Sequence, residues 1–178
     1  MKFKIKKLIC YLLITNTIFV ISSPSMALKS DSNQPIAINS MKQLLDIQNN
    51  ISIFTDNVII KQGTINIRAD KVVTFRSVGD KKKIYIKAFG DPVNLYQMQD
   101  NGKPIAGCAQ QVQYEAPTQL FTLTGNAYLQ ELGNSIKGDS ITYLAQQQKM
   151  QAFSNKGKHV TTILLPSQLK ETNRQSKR

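Results

Sequence analysis

The chain has 178 residues, 41% of them hydrophobic, and 23 basic against 11 acidic residues give it a formal net charge of +12. This length suits one domain and excludes two ordinary enzymes in tandem. A single histidine and scattered acids leave little material for catalysis, while the positive charge raises the question of a nucleic-acid partner.

Residues 1–27 have the pattern of a cleaved secretory signal peptide. Four lysines within residues 1–7 precede an apolar run at 8–21, and small residues at Ser25 and Ala27 predict cleavage after Ala27. Because a membrane span needs roughly 20 apolar residues, an uncleaved anchor is the minor alternative. Without the four lysines the mature chain carries a net charge of +8.

The cysteines and the histidine predict neither a disulfide nor a catalytic pair. Cys10 lies inside the signal peptide, which leaves Cys108 alone in the mature chain. A nucleophilic Cys108 would need a neighbouring base, and His159 is distant in sequence within a lysine-rich turn. The chain also lacks a phosphate-binding Gly-Lys-Ser/Thr loop. We therefore predict no enzymatic activity, no metal site and no cofactor.

The mature chain has the alternation of β-strands nearly throughout. Strands of about 5–7 residues separated by tight turns predict an all-β antiparallel sandwich, barrel or jelly roll. Residues 40–46 are too few and too isolated for a helix and are predicted to form a turn or a broken strand. The predicted strands are centred on residues 36–38, 51–53, 64–68, 84–87, 93–95, 112–114 and 121–124, and the turns on 49–50, 56–57, 62–63, 78–80, 90–92, 100–102, 125–126, 133–134 and 155–157.

An internal repeat supports this interpretation. Residues 53–75 align with residues 122–144 without a gap, and Asp70 and Asp139 are identical positions in the two copies. Four units of roughly 30–40 residues predict stacked β layers with two open ends. Asp70 and Asp139 are predicted to be turn acids that accept hydrogen bonds from backbone N–H groups.

Several motifs together resemble the OstA-like family of lipopolysaccharide-export proteins, over residues 1 to about 169. One departure is Asp56, where the family usually has Gly, and Asp tolerates the left-handed backbone that this position needs. The resemblance includes the signal peptide, and its motifs lie at residues 34–36, 54–58, 62–65, 69–72, 96–104, 123–129, 136–139 and 149–154.

The resemblance implies a fold and a role. It implies a single antiparallel, slightly twisted, half-open β-jelly-roll over residues 28–166 with open strand edges at both ends. It also implies a non-enzymatic periplasmic protein that carries lipopolysaccharide from the inner-membrane export complex to the outer-membrane translocon.

Alternation gives this role a physical basis, because one face of each strand can line an apolar trough that shields acyl chains. Each inward residue either contacts lipid or fills the core, and the sequence leaves both open. The family resemblance favours Ile36, Ile38, Leu95, Tyr114 and Met150. The full set of lipid-contact candidates is Ile36, Ile38, Ile53, Val58, Ile60, Ile65, Ile67, Leu95, Tyr114, Phe121, Leu123, Leu129, Ile141, Tyr143 and Met150.

The first strand, around residues 34–39, and the last, around 160–165, should leave unpaired backbone groups that accept a partner's strand. The resemblance implies that LptC binds the N-terminal edge, that the periplasmic domain of LptD binds the C-terminal edge, and that copies associate head to tail. Pro166 is predicted to end the last strand, and residues 167–178 to form a basic, disordered tail. The edge candidates are Gln34, Pro35, Ile36, Ile38, Thr161, Ile163 and Leu165.

Two other classes of function remain alternatives. A secreted hydrolase would use Asp70 and Asp139, and a secreted β-sandwich could bind anionic polymers through its basic residues. The basic residues lie in predicted loops, for example at 81–83, Lys156 and Lys158, and have no aromatic residues interleaved with them. This pattern argues against nucleic-acid binding. These basic residues are predicted to be solvated surface, or to meet lipid phosphates during transfer.

Overall fold

In a computed structural model of the protein, the described residues are 31–76 and 84–166. The predicted signal peptide (1–27), the predicted tail (167–178), the turn at 78–80 and the lysines at 81–83 lie outside them. Residues 31–76 and 84–166 contain no helix with the length and hydrophobicity of a membrane span.

One antiparallel sheet of ten strands makes up the described structure, which confirms the all-β prediction. The strands are β1 (Ala37–Asn39), β2 (Lys42–Asp46), β3 (Ile51–Gln62), β4 (Ile65–Arg76), β5 (Ile84–Met98), β6 (Pro104–Glu115), β7 (Leu120–Glu131), β8 (Asn134–Leu144), β9 (Lys149–Phe153) and β10 (Thr161–Ile163), with short 3-10 helices at Asp31–Asn33 and Ala145–Gln147. Neighbouring strands in the sheet follow the order β1, β3, β4, β5, β6, β7, β8 and β10, while β2 also pairs with β3 and β9 with β8.

A line of β-bulges folds this sheet in two. The register shifts once between each neighbouring pair from β3 to β8, and β-bulges bend strands and increase their twist. We call this line the crease. On one side, half-sheet A contains β1, β10, the later halves of β3, β5 and β7, and the earlier halves of β4, β6 and β8. Half-sheet B contains β2, β9 and the other halves.

Three predicted turns are wrong, because residues 56–57, 90–92 and 125–126 lie inside β3, β5 and β7. Asp56 and Asn57 have φ of +67° and +55°, and Gly125 and Asn126 have φ of +81° and +50°. Left-handed residues there add a bend within a strand instead of reversing the chain. The long strands therefore have 11 to 15 residues instead of 5–7, and the left-handed backbone expected at Asp56 is confirmed.

The repeat has a structural counterpart at the crease. The register shift between Thr55 and Val58 recurs between Thr124 and Ala127, at the same spacing as the sequence repeat. Asp70 and Asp139 lie within β4 and β8 at the crease, so their placement in turns is wrong.

Asp139 nevertheless has the bonding that was predicted for it. Its carboxylate accepts the backbone N–H of Asn155 at 2.8 Å and the ammonium of Lys158 at 3.0 Å. These interactions, the Asn155 backbone bond foremost, lower the pKa of Asp139. Asp139 therefore ties the chain after β9 to the crease.

The other predicted turns within the described residues are found in the structure. The turns predicted at 49–50, 62–63, 100–102, 133–134 and 155–157 are confirmed as connections between strands or loops. Most of residues 40–46 form β2, a regular strand paired with β3. The apolar core of the described residues lies between the two half-sheets.

Candidate functional site

The space between the half-sheets is an apolar interior, and most of the residues predicted to line a trough are found there. Its side chains are packed and almost completely buried among the described residues. Whether any of these residues contacts lipid stays a prediction. The buried members of the predicted set are Val58, Ile60, Ile65, Ile67, Leu95, Tyr114, Phe121, Leu123, Leu129, Ile141 and Tyr143.

At the N-terminal end the interior opens into a cavity of about 320 Å³. Ile36 and Ile38 line it from half-sheet A, and Ile84 and Ile86 line it from half-sheet B. Arg76 lies at its rim, exposed. The two isoleucines that the family resemblance favoured are therefore brought together at one mouth, and both are half-buried.

The C-terminal end has a second, smaller cavity of about 220 Å³. Leu129, Ile136 and Leu164 contribute apolar side chains to it, and Met150 lies beside them with 38% of its surface exposed. Glu131 adds a carboxylate to the lining. The interior is thus flanked by an apolar opening at each end of the sheet.

The prediction that Ile53 lines the interior is wrong. Ile53 is a cross-strand neighbour of Leu44 and Val73 on the outer face, whereas Phe54, one residue later, is 8% exposed and belongs to the core. Alternation along residues 51–53 gave the right period but the wrong face, because Ile51 and Ile53 lie on the outer face of β3 and Ser52 and Phe54 on the inner one. Val72, Ile86, Ile105 and Val112 are also buried and were not among the predicted lining residues.

Opposite the crease, hydrogen bonds join the free ends of the two half-sheets. The Tyr114 hydroxyl on half-sheet B donates to Oε1 of Gln62 on half-sheet A at 2.7 Å. Farther along, the Tyr143 hydroxyl donates to Oε1 of Gln99 at 3.4 Å. Burial raises the pKa of both tyrosines far above the ordinary value, so both remain protonated donors. We call this line of contacts the seam.

A buried aromatic row on half-sheet B supports the seam. Phe121 is stacked between Tyr114 and Tyr143, with ring centroids 4.5 Å and 5.9 Å away. The three are direct cross-strand neighbours on β6, β7 and β8. Packing of the rings therefore fixes where the two tyrosine hydroxyls point.

Asp31 anchors the residues that precede β1 at the seam, and sequence reasoning missed it. Its carboxylate accepts the backbone N–H of Thr64 at 2.7 Å, the Thr64 hydroxyl at 2.8 Å and Nε2 of Gln97 at 2.9 Å. Only 6% of Asp31 is exposed. No motif or alternation in the sequence distinguishes this acid from others near a strand start.

The predicted edge strands are shorter than expected. Gln34, Pro35 and Ile36 precede β1, and the carbonyl of Gln34 accepts a bond from Gln62 Nε2 at 3.0 Å. Ile38 lies within β1.

At the other end, Thr161 and Ile163 lie in β10. Leu165 lies beyond it, and its N–H donates to Asn134 Oδ1 at 2.8 Å. The last strand therefore ends at Ile163, before Pro166.

The two residues considered for nucleophilic chemistry lie on different elements of the fold. Cys108 is half-buried on β6, and His159 is exposed between β9 and β10. Among residues 31–76 and 84–166, no three His, Cys, Asp or Glu side chains are grouped as a metal site.

The sequence and the fold are both similar to those of known proteins. Residues 37–149 match the family described as LptA/(LptD N-terminal domain) LPS transport protein. The lipopolysaccharide export system protein LptA of Escherichia coli strain K12 is 53% identical over 173 residues, which cover 97% of this chain and 94% of that protein. The protein of the same name from Haemophilus influenzae is 46% identical over 156 residues, covering 87% and 91%.

A solved structure shares the fold. The crystal structure of LptH, described as the LptA homologous periplasmic component of the lipopolysaccharide transport device of Pseudomonas aeruginosa, matches with a TM-score of 0.70 at 19% identity. The match covers 77% of this chain and 99% of that one. The half-open jelly-roll architecture is therefore shown by sequence family and by structure.

Proposed function

The chain belongs to the family of LptA and LptD N-terminal-domain lipopolysaccharide transport proteins, and from this we propose that it binds lipopolysaccharide and bridges the two membranes. It acts in the periplasm, without enzymatic activity, between the inner-membrane export complex and the outer-membrane translocon. The names of its relatives as export proteins support this role.

One observation carries the proposal: the apolar interior between the half-sheets, with an apolar cavity at each end. Each buried CH₂ group is worth about 0.8 kcal/mol, so an acyl chain of about ten such groups gains roughly 8 kcal/mol by leaving water. A lipid with several chains therefore needs continuous cover to cross an aqueous space. An interior that runs through the sheet offers that cover.

Because the interior is packed, acyl chains enter by parting the half-sheets. The crease is a line of register shifts, whereas the opposite side is joined at the seam by side-chain hydrogen bonds such as Tyr114 to Gln62. Side-chain bonds are exchanged more readily than the backbone pairing that continues within each half-sheet. We therefore expect the molecule to open at the seam and to bend at the crease.

The sheet edges suit a head-to-tail assembly. Six strands, β3 to β8, lie between the two ends of the antiparallel sheet, so β1 and β10 run in opposite directions, and so do β2 and β9. A second copy stacked in the same orientation would place its β1 antiparallel to β10 and its β2 antiparallel to β9. The lengths match, at three residues for β1 and β10 and five for β2 and β9.

This geometry supports strand addition as the partner mechanism. We propose that LptC adds its sheet at the edge formed by β1 and β2. The periplasmic domain of LptD adds at the edge formed by β9 and β10, and copies of the chain join through both edges. Each addition continues both half-sheets, so the interior continues as well.

The proposal is tested by the dependence of binding on acyl chains. We expect the mature chain to bind rough lipopolysaccharide at least tenfold more tightly than the same molecule after removal of its acyl chains. A binder of anionic polymers predicts equal binding of the two forms and a steep loss of affinity with salt. Equal binding would refute lipid carriage in favour of that alternative.

The edge mechanism has its own test at Ile163, which is 55% exposed on β10. Ile163→Asp places a charge on the exposed edge strand, and we expect loss of self-association in sedimentation experiments with an unchanged melting temperature. The matched control is His159→Asp in the preceding loop, which should assemble normally. Normal assembly of Ile163→Asp would show that copies do not join through β10.

A further inference from the structure

The interior contains a line of buried polar side chains along the seam. Gln62, Gln97 and Gln99 are 2%, 4% and 4% exposed. Gln62 and Gln97 belong to half-sheet A and Gln99 to the loop after β5, and all three face the apolar interior. Simple packing does not require glutamines here, because burying a polar group costs free energy unless it is hydrogen-bonded.

Gln97 is the member of this line whose hydrogen bonding is incomplete. Its Nε2 donates to Asp31 Oδ2 at 2.9 Å. A carboxylate only accepts, so this bond fixes which end of the amide faces Asp31. The Oε1 atom consequently points away, and it is the one buried side-chain nitrogen or oxygen in the described ranges without a partner.

Two bonds that close the seam flank this acceptor. Tyr114 donates to Gln62, and Tyr143 donates to Gln99, whose Nε2 in turn donates to Glu131 Oε1 at 2.6 Å. The unpartnered oxygen of Gln97 therefore lies in the middle of the seam, where the half-sheets are proposed to part.

We propose that Gln97 is a binding residue for the carried lipid, with its Oε1 accepting a hydrogen bond from an amide N–H or a hydroxyl in the linkage between sugar and acyl chains. This rests on the proposed function and names the polar group that the same site recognises. Acyl chains lie between the half-sheets, the sugars stay outside, and the linkage between them crosses the seam at the level of Gln97. A lipid whose chains are joined by esters alone offers no such donor.

The same geometry gives Gln62 and the two tyrosines a second role. When the lipid parts the seam, Tyr114 and Tyr143 lose their glutamine partners. Their hydroxyls and the glutamine amides can then bond to the ester and amide groups of the linkage. Exchange of one set of hydrogen bonds for another keeps the cost of opening low.

The test compares Gln97→Met with the wild-type protein in titrations with rough lipopolysaccharide. Met has a similar volume but lacks both the Oε1 acceptor and the Nε2 donor to Asp31. We expect five- to tenfold weaker binding from the lost Oε1 bond, while the loss of the Asp31 bond lowers the unfolding free energy. The matched control is Gln113→Met, on the face of β6 opposite to Tyr114, which should bind as the wild type does. Unfolding in urea shows whether each variant is folded.

A second experiment tests whether the amide N–H of the ligand is the donor that bonds to Gln97. A lauroyl chain is supplied once as an N-alkyl amide and once as a methyl ester, and each competes with fluorescent lipopolysaccharide. The wild type should prefer the amide about fivefold, and Gln97→Met should show no preference. An identical preference in both proteins, or no competition by the amide, overturns the assignment of Gln97.

The two levels of the proposal fail differently. A wild-type chain that binds no lipopolysaccharide refutes the proposed function. A wild type and a Gln97→Met variant that bind lipopolysaccharide equally well refute only the role of Gln97. Weaker binding of Gln113→Met by the same factor would also overturn it, because the effect would then not depend on the interior.

Discussion

Phe121 is the residue whose removal should destabilise the domain most clearly. It has no exposed surface, and it is stacked between Tyr114 and Tyr143. A buried aromatic side chain removes about 150–250 Å² from water, worth about 4–6 kcal/mol at roughly 25 cal/mol per Å². Subtracting the part that alanine retains, and allowing partial collapse of the cavity, gives about 3–5 kcal/mol for Phe121→Ala.

Urea unfolding measures this loss directly. With a slope of about 2 kcal/mol per molar urea, the midpoint should fall by roughly 2 M at an unchanged slope. The matched control is Phe153→Ala, because Phe153 is 62% exposed on β9. Its replacement by alanine should lower the unfolding free energy by less than about 0.5 kcal/mol. Equal losses in the two variants would refute the placement of Phe121 in the packed interior.

Two further predictions concern the crease and the packing of β6. Asp139→Asn should destabilise the fold at neutral pH, because bonds from Asn155 and Lys158 lower the pKa of Asp139 in the folded state. A carboxyl group whose pKa is lower in the folded state stabilises the fold at any pH above its unfolded-state pKa. This contribution disappears as the pH falls through the folded-state pKa. The difference between wild type and variant in urea unfolding should therefore shrink below about pH 4, and a difference that grows in acid would contradict it. Gly107→Ala should lower the free energy of unfolding by about 1–3 kcal/mol in thermal unfolding, since the new Cβ would stand 2.7 Å from the Tyr128 carbonyl oxygen. The control Ala106→Val, on the exposed face of β6, should leave stability unchanged. A Gly107→Ala variant as stable as the wild type would show that the strands can shift to make room.

The sequence predicted the class of fold better than the length of its strands. Period-two alternation identified strand segments correctly, and the repeat predicted a layered sheet with open ends. Asp56, Asn57 and Gly125 were assigned to turns because left-handed backbone serves hairpin turns and β-bulges alike. Only pairing with neighbouring strands distinguishes the two, and a single sequence does not contain that information.

The site was predicted less well than the fold. Ile51 and Ile53 alternate with Ser52 as the buried face of a strand would, but Phe54 and not Ile53 faces the interior. The seam was not predicted because Asp31, Gln62 and Gln97 are polar residues near strand ends, where exposure is the usual expectation. Their burial follows from folding the sheet at the crease, which brings distant strand ends together.

Site-specific photo-crosslinking tests the central claim, which is that acyl chains travel between the half-sheets. A photo-reactive amino acid is placed at Ile38 or Leu95, whose side chains face the interior, or at their outward-facing neighbours Ala37 and Tyr96. During active transport we predict crosslinks to lipopolysaccharide from Ile38 and Leu95 and background labelling from Ala37 and Tyr96. Labelling from the outward positions that equals labelling from the inward ones would contradict an interior path.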